Sequence, residues 1–166
     1  MEVIEGTATV EDVDAFVAEL GAIGDERDCA VQAFDARYVV DRGHLERAVA
    51  CADRARTRGE AIAEDPAVEI LLYAAGRRQI SRALEMGVSA GECPVAVVVH
   101  GTARDADEPG AAAAVADLLD SAATLGAYDE GRVRDFFDVS DRELGATDAG
   151  LPALVRERVA LLAVEK

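Results

Sequence analysis

The apolar positions of this chain fall into strand-spaced and helix-spaced runs that cover most of its length. Glu2 to Thr9 alternates at a period of two and predicts a strand, with Thr9 as cap of the helix that follows. That helix presents Val13, Phe16, Val17 and Leu20 at the i, i+3, i+4, i+7 spacing of one buried face. Cys29 to Phe34 predicts a second strand, and Tyr38 to Val40 a short third. His44 to Arg58 turns Leu45, Ala48, Val49, Ala52 and Ala55 to one side and predicts a helix. Asp65-Pro66 opens the next helix, because proline lacks an N–H that the first turn would leave unpaired. Pro94 to His100 carries Val95, Val97, Val98 and Val99 with little alternation, the pattern of a central strand.

Gly101 to Gly110 reads as a polar, acidic loop. Pro109 to Leu125 predicts a helix through Val115, Leu118, Leu119 and Leu125, stopped by Gly126. Asp129 and Ser140 stand where caps of two shorter helices belong, the first helix carrying Val133, Phe136 and Phe137. Ser140-Asp141-Arg142-Glu143 matches a capping box. Pro152 opens a final helix. Leu151, Val155, Val159 and Leu162 form one stripe on it, Leu154 and Leu161 a second, and Arg158 lies inside the combined arc. That arc is wider than one core contact requires. Either the helix is wedged between two neighbours, or its second stripe faces a partner. With no repeat and no linker long enough to divide the chain, residues 1–166 are expected to form a single compact domain. The expected class is α+β, a small mixed β-sheet covered by multiple α-helices.

Charge changes the picture. The chain holds 33 acids against 17 bases, for a net charge of −16, and Lys166 is its one lysine. Such a composition looks like that of a salt-loving archaeon, whose carboxylates keep the surface hydrated where salt screens their repulsion; an acidic bacterial protein from a GC-rich genome is the alternative, and the near absence of lysine favours the halophile. No apolar run is long enough for a membrane span, and Met1 to Glu5 lacks a basic signal-peptide start, so a soluble, cytoplasmic protein is expected. Cys29, Cys51 and Cys93 are odd in number, with no C-x-x-C pair, and are expected as buried free thiols.

Catalytic signatures are missing from the sequence. There is no G-x-S-x-G, no P-loop and no G-x-G-x-x-G. His44-Leu45-Glu46 has the spacing of a zinc deaminase, but that chemistry needs a later P-C-x-x-C, and Cys93-Pro94 is reversed. Asp105, Asp107 and Glu108 could hold a hard cation, although a solvated acidic loop is the favoured reading in so acidic a chain. No catalytic residue, cofactor or metal is therefore expected. A stand-alone enzyme or small-molecule-binding protein with a pocket near His44 or His100 is the alternative.

One segment stands apart. After the apolar run Ile70-Leu71-Leu72-Tyr73, the chain stops at Gly76 and continues Arg77-Arg78-Gln79 into a second helix with Ile80 and Leu84 on one face. A cationic corner in so acidic a chain has two readings. The arginines answer the negative end of the first helix, or they flank the anion-attracting N-terminus of the second. Guanidinium also stacks on bases and forks onto phosphate, and Arg82, Arg54 and Arg58 could join such a patch.

The order of elements resembles the small regulatory subunits of the KEOPS complex, the TPRKB-like proteins that bind the Bud-type kinase. The resemblance runs through Tyr38-Val39-Val40, His44-Leu45-Glu46-Arg47-Ala48 and Val68 to Ile80. Its most specific part is E-x-L-L-Y-x-x-G-x-R-Q-I, from Glu69 to Ile80, followed by Ala83, Leu84 and Gly87. It covers most of the chain and weakens around residues 101–110 and 145–150. It implies a non-catalytic regulatory subunit that docks on the N-lobe of the Bud-type kinase/ATPase. Through the kinase it would meet the threonylcarbamoyl transferase and dimerisation subunits. It further implies contact with the tRNA 3′ CCA end, in a complex making threonylcarbamoyladenosine. On that footing Arg78, Gln79 and Ile80 are expected to bind tRNA; Arg82 joins them from its charge and its place one turn on, and Arg77 as either helix cap or ligand contact. Leu154, Arg158, Leu161 and Leu162 are expected to face the kinase.

Overall fold

The computed structural model describes residues 1–164. Strand β1 (Glu2–Val10) leads through helix α1 (Val13–Arg27) to strand β2 (Cys29–Asp35), and β3 (Gly91–Gly101) later enters between the two. The sheet order is β2-β3-β1-β4, with β4 the short pair Asp120–Ser121. Every neighbouring pair is antiparallel, which corrects the expected mixed sheet. A β-α-β unit sends β1 and β2 the same way, but β3 runs opposite to both and separates them. No parallel pair is left among the described strands.

Centrality explains the unbroken valine run. Val95, Val97 and Val99 face a cluster with Ala8, Val10, Val31 and Ala33, packed under α1 and α5 (Glu108–Ala116). Ala96 and Val98 face the opposite cluster with Ala30 and Phe34. That second face is covered by α2 (Arg42–Thr57) and α3 (Pro66–Ala75), and α8 (Gly150–Val164) packs on those two helices in the same cluster. The molecule is therefore three layers, helices on both faces of one sheet.

The remaining differences have local causes. Thr9 stays in β1 opposite Glu92, and Asp12 caps α1 instead, accepting from the Ala15 N–H. Val17 leaves the expected buried face and is exposed, while Leu20 and Gly24 are buried. Tyr38 to Val40 is not a strand: Asp35 accepts from the Arg37 N–H and folds the chain into a 3₁₀ turn, Ala36–Tyr38. The helix expected from Pro109 to Leu125 stops at Ala116, because Asp120 and Ser121 pair with Thr7 and Gly6. A Cβ at Gly6 would stand 2.6 Å from the Asp120 carbonyl oxygen, so only glycine admits that edge. Glu5 then accepts from Thr124 and Leu125 N–H at 2.9 and 2.8 Å, which ties the following segment to the sheet. Asp129 and Ser140 cap α6 (Glu130–Phe136) and α7 (Asp141–Gly145) as expected. All three cysteines are buried and none of them forms a disulfide.

Candidate functional site

The cationic corner is built by a helix end. Gly76 closes α3 at φ 61°, with its own N–H bonded to Tyr73 O and that of Arg77 to Leu72 O, both at 3.1 Å. This left-handed cap turns the next three residues away from the helix axis. A Cβ at Gly76 would lie 3.3 Å from the Arg158 carbonyl oxygen, so the corner rests directly on α8. The helix that follows, α4 (Ile80–Ala83), is a single turn continued by a 3₁₀ turn, Leu84–Met86. Its dipole is correspondingly small, and the anion-attracting second helix read from the sequence is reduced to that turn.

The five corner residues separate. Arg77 points inward: its guanidinium donates to the Phe136 carbonyl oxygen, stands 3.6 Å from Asp138 and lies 5.2 Å from the Phe136 ring centroid. Arg82 approaches the same buried ring at 5.9 Å and pairs with Glu85 at 3.1 Å. Arg78 and Gln79 are exposed, and the Gln79 side chain makes no cap bond to α4. Ile80 and Leu84, read as one face of that second helix, are 49% and 58% exposed. Together with Val17, 53% exposed, they border an apolar groove of about 340 Å³. Its walls come from α1, β2 and α3 through Leu20, Val31 and Leu71. Arg54 and Arg58 are exposed at the far end of α2.

The final helix is wedged between neighbours. Leu151, Leu154, Val155, Val159 and Leu162 are all buried. Leu161 alone represents the second stripe at the surface, with Val164 beyond it. Arg158 clasps Glu143 at 2.6 and 2.8 Å and donates to the Phe137 and Asp138 carbonyl oxygens at 3.2 and 3.3 Å. Those hydrogen bonds lower the Glu143 pKa and raise that of Arg158. Ser140 accepts from the Glu143 N–H, but the Glu143 carboxylate serves Arg158, so the capping box is half formed. Arg77 and Arg158 thus reach the Phe136–Asp138 junction from two directions, the turn after α3 and the middle of α8.

Each histidine is held by a partner from a distant part of the chain. His44 is fully buried. Its Nδ1 accepts from the Val40 N–H at 3.3 Å, so Nε2 carries the proton and donates to Ala74 O at 2.7 Å. Burial pushes its pKa down to about 4. His100 Nε2 pairs with Asp53 at 2.7 Å on the wall of a hollow of about 270 Å³. Glu108 is occupied by the Met1 ammonium at 2.9 Å and the Gly101 N–H at 2.7 Å, and Asp107 caps α5. Among the described residues no group of three or more His, Cys, Asp or Glu could hold a metal ion. No described helix is long and apolar enough to cross a membrane.

Two features escaped sequence reasoning. Glu69, inside the apolar run of α3, is fully buried and accepts from the Ile62 and Ala63 N–H groups at 2.9–3.1 Å. An acid surrounded by Val68, Ile70, Leu71 and Leu72 was the signal for a buried fastening. The groove had no such signal, since its walls come from four separate elements. A family model described as kinase binding protein CGI-121 matches residues 8–163. No curated protein matches the chain.

Proposed function

This chain belongs to the family of kinase binding protein CGI-121, and on that premise we propose that it is a non-catalytic regulatory subunit of a KEOPS complex. Its kinase partner is then the Bud-type kinase/ATPase, through which it meets the transferase and dimerisation subunits. In this reading it also holds the 3′ CCA end of tRNA while threonylcarbamoyladenosine is made. The observation that carries the proposal is the family match over residues 8–163, nearly the whole chain.

The tRNA half of the proposal is supported by the corner. Arg78 and Gln79 stand exposed just past the hydrogen-bonded Gly76 cap, and Arg82 nearby pairs with Glu85 and lies over the Phe136 ring. A net charge of −16 opposes any long-range pull on a polyanion. In molar salt the screening length is about 3 Å, so only short-range contacts survive. The expected mode is local: guanidinium stacking and forked hydrogen bonds to a single-stranded end.

Filter binding in high potassium chloride tests this with tRNA carrying or lacking CCA. The expected result is loss of binding without the tail and with Arg78→Glu, while affinity for the Bud-type kinase is retained. Equal affinity for both tRNAs refutes the tail-holding role. Failure to bind the kinase refutes the subunit role.

A further inference from the structure

Val17, Ile80 and Leu84 are three of the large apolar side chains most exposed on this molecule, and all three border one groove. Scattered exposed aliphatics are ordinary, but convergence on a single concavity is the mark of an interaction surface. The groove is lined by Val13, Val31, Val68 and Leu71 at its base, and Asp14 is the one charged residue among the described residues that line it. Glu11 and Asp12 stand exposed immediately before α1.

Its chemistry selects the occupant. Nucleic acid ends are gripped by base-stacking rings and cationic grooves. Here the lining holds no aromatic ring and no cation: apart from Gln32 and Asp14 it is aliphatic or glycine, and the Asp14 carboxylate repels phosphate. A protein presenting an apolar ridge flanked by basic side chains fits both the walls and the acidic rim. On the C-terminal helix Leu154 and Leu162 are buried and Arg158 is engaged with Glu143, which leaves Leu161 and Val164 as the exposed large apolar side chains there, outside any shared apolar groove with Val17, Ile80 and Leu84.

We propose that the kinase partner docks in the groove between α1, β2, α3 and α4, with Val17 and Leu84 as its apolar contacts. The inference rests on the kinase-binding reading above. Val17 and Leu84 are hot-spot positions for that contact, and Asp14 meets a basic side chain at its rim.

The test is titration calorimetry of the purified full chain against the purified Bud-type kinase in molar potassium chloride. The unchanged protein is compared with Val17→Glu, Leu84→Glu, Leu161→Glu and Ala123→Glu, the last an exposed position beyond β4. Both groove positions are more than half exposed, so thermal melts are expected to match the unchanged chain. Val17→Lys serves as a second variant if Val17→Glu melts early.

Val17→Glu and Leu84→Glu are each expected to weaken kinase binding by about 30-fold or more, as loss of a hot-spot contact does. Ala123→Glu is expected to stay within about threefold. Unchanged affinity for both groove variants overturns the groove and leaves kinase binding standing. Failure of the unchanged chain to bind overturns the reading beneath it. Loss of binding in Leu161→Glu alone moves the kinase to α8 and also overturns the proposal. If the groove variants lose CCA-ended tRNA but keep the kinase, the groove is an RNA surface and the proposal fails. A dimer of the unchanged chain that Val17→Glu dissolves makes the groove a self-association face, with the same consequence.

Discussion

Arg77 and Arg78 are adjacent and chemically identical, yet they occupy opposite sides of the surface. Arg77 is fixed to the Phe136 carbonyl and ring, so Arg77→Ala is expected to cost about 1–2 kcal/mol in urea unfolding. Arg78 is exposed, and Arg78→Glu is expected to leave the melting temperature within a degree or so, because surface substitutions rarely exceed about 0.5 kcal/mol. His44 supplies a pH test. Its folded-state pKa, about 4, lies below the ordinary value of 6.5, so the unfolded chain binds the proton more readily. Stability is full above pH 6.5, falls as pH drops toward 4, and loses no more from this group below that. One group displaced by about 2.5 units accounts for about 3 kcal/mol across the window. Urea midpoints at pH 7 and pH 5 should show most of that slope, and His44→Gln should lack it.

Elements here end where single residues make them end, and those ends carry the candidate surfaces. Gly76 adopts a left-handed conformation that a side chain resists, so Gly76→Ala is expected to cost about 1 kcal/mol and to shift the corner against α8. Chemical denaturation and tRNA binding measured on the same variant would check both halves. Arg158 joins α8 to α7 and to the turn after α6. Arg158→Ala is expected to speed amide exchange through Asp141–Gly145 while leaving the sheet protected, since α7 buries no side chain of its own. Ser140 and Asp129 were legible as caps because a cap acts on the residues beside it. The single-turn α4 was not legible as such: Ile80 and Leu84 have helical spacing, but their exposure depends on what α1 and α3 leave uncovered.

At the scale of the molecule, charge is the dominant fact. With 33 acids, the folded chain concentrates negative charge that the unfolded chain spreads out. The melting temperature is expected to rise steeply between 0.1 and 2 M potassium chloride, and calorimetry would show it. A flat profile would mean that the ion pairs already balance the surface.

Periodicity, caps and the family motif lie within a few residues of one another, so the sequence by itself determined the positions of the long helices and the three long strands, the central place of Val95–Val99 and the family resemblance. Tertiary structure alone decided the antiparallel order, the inward turn of Arg77, the burial of Leu154 and Leu162, and the groove under Ile80 and Leu84. The physical reason is that helical spacing marks a face as apolar, whereas its burial is set by neighbours that the fold brings from distant parts of the chain.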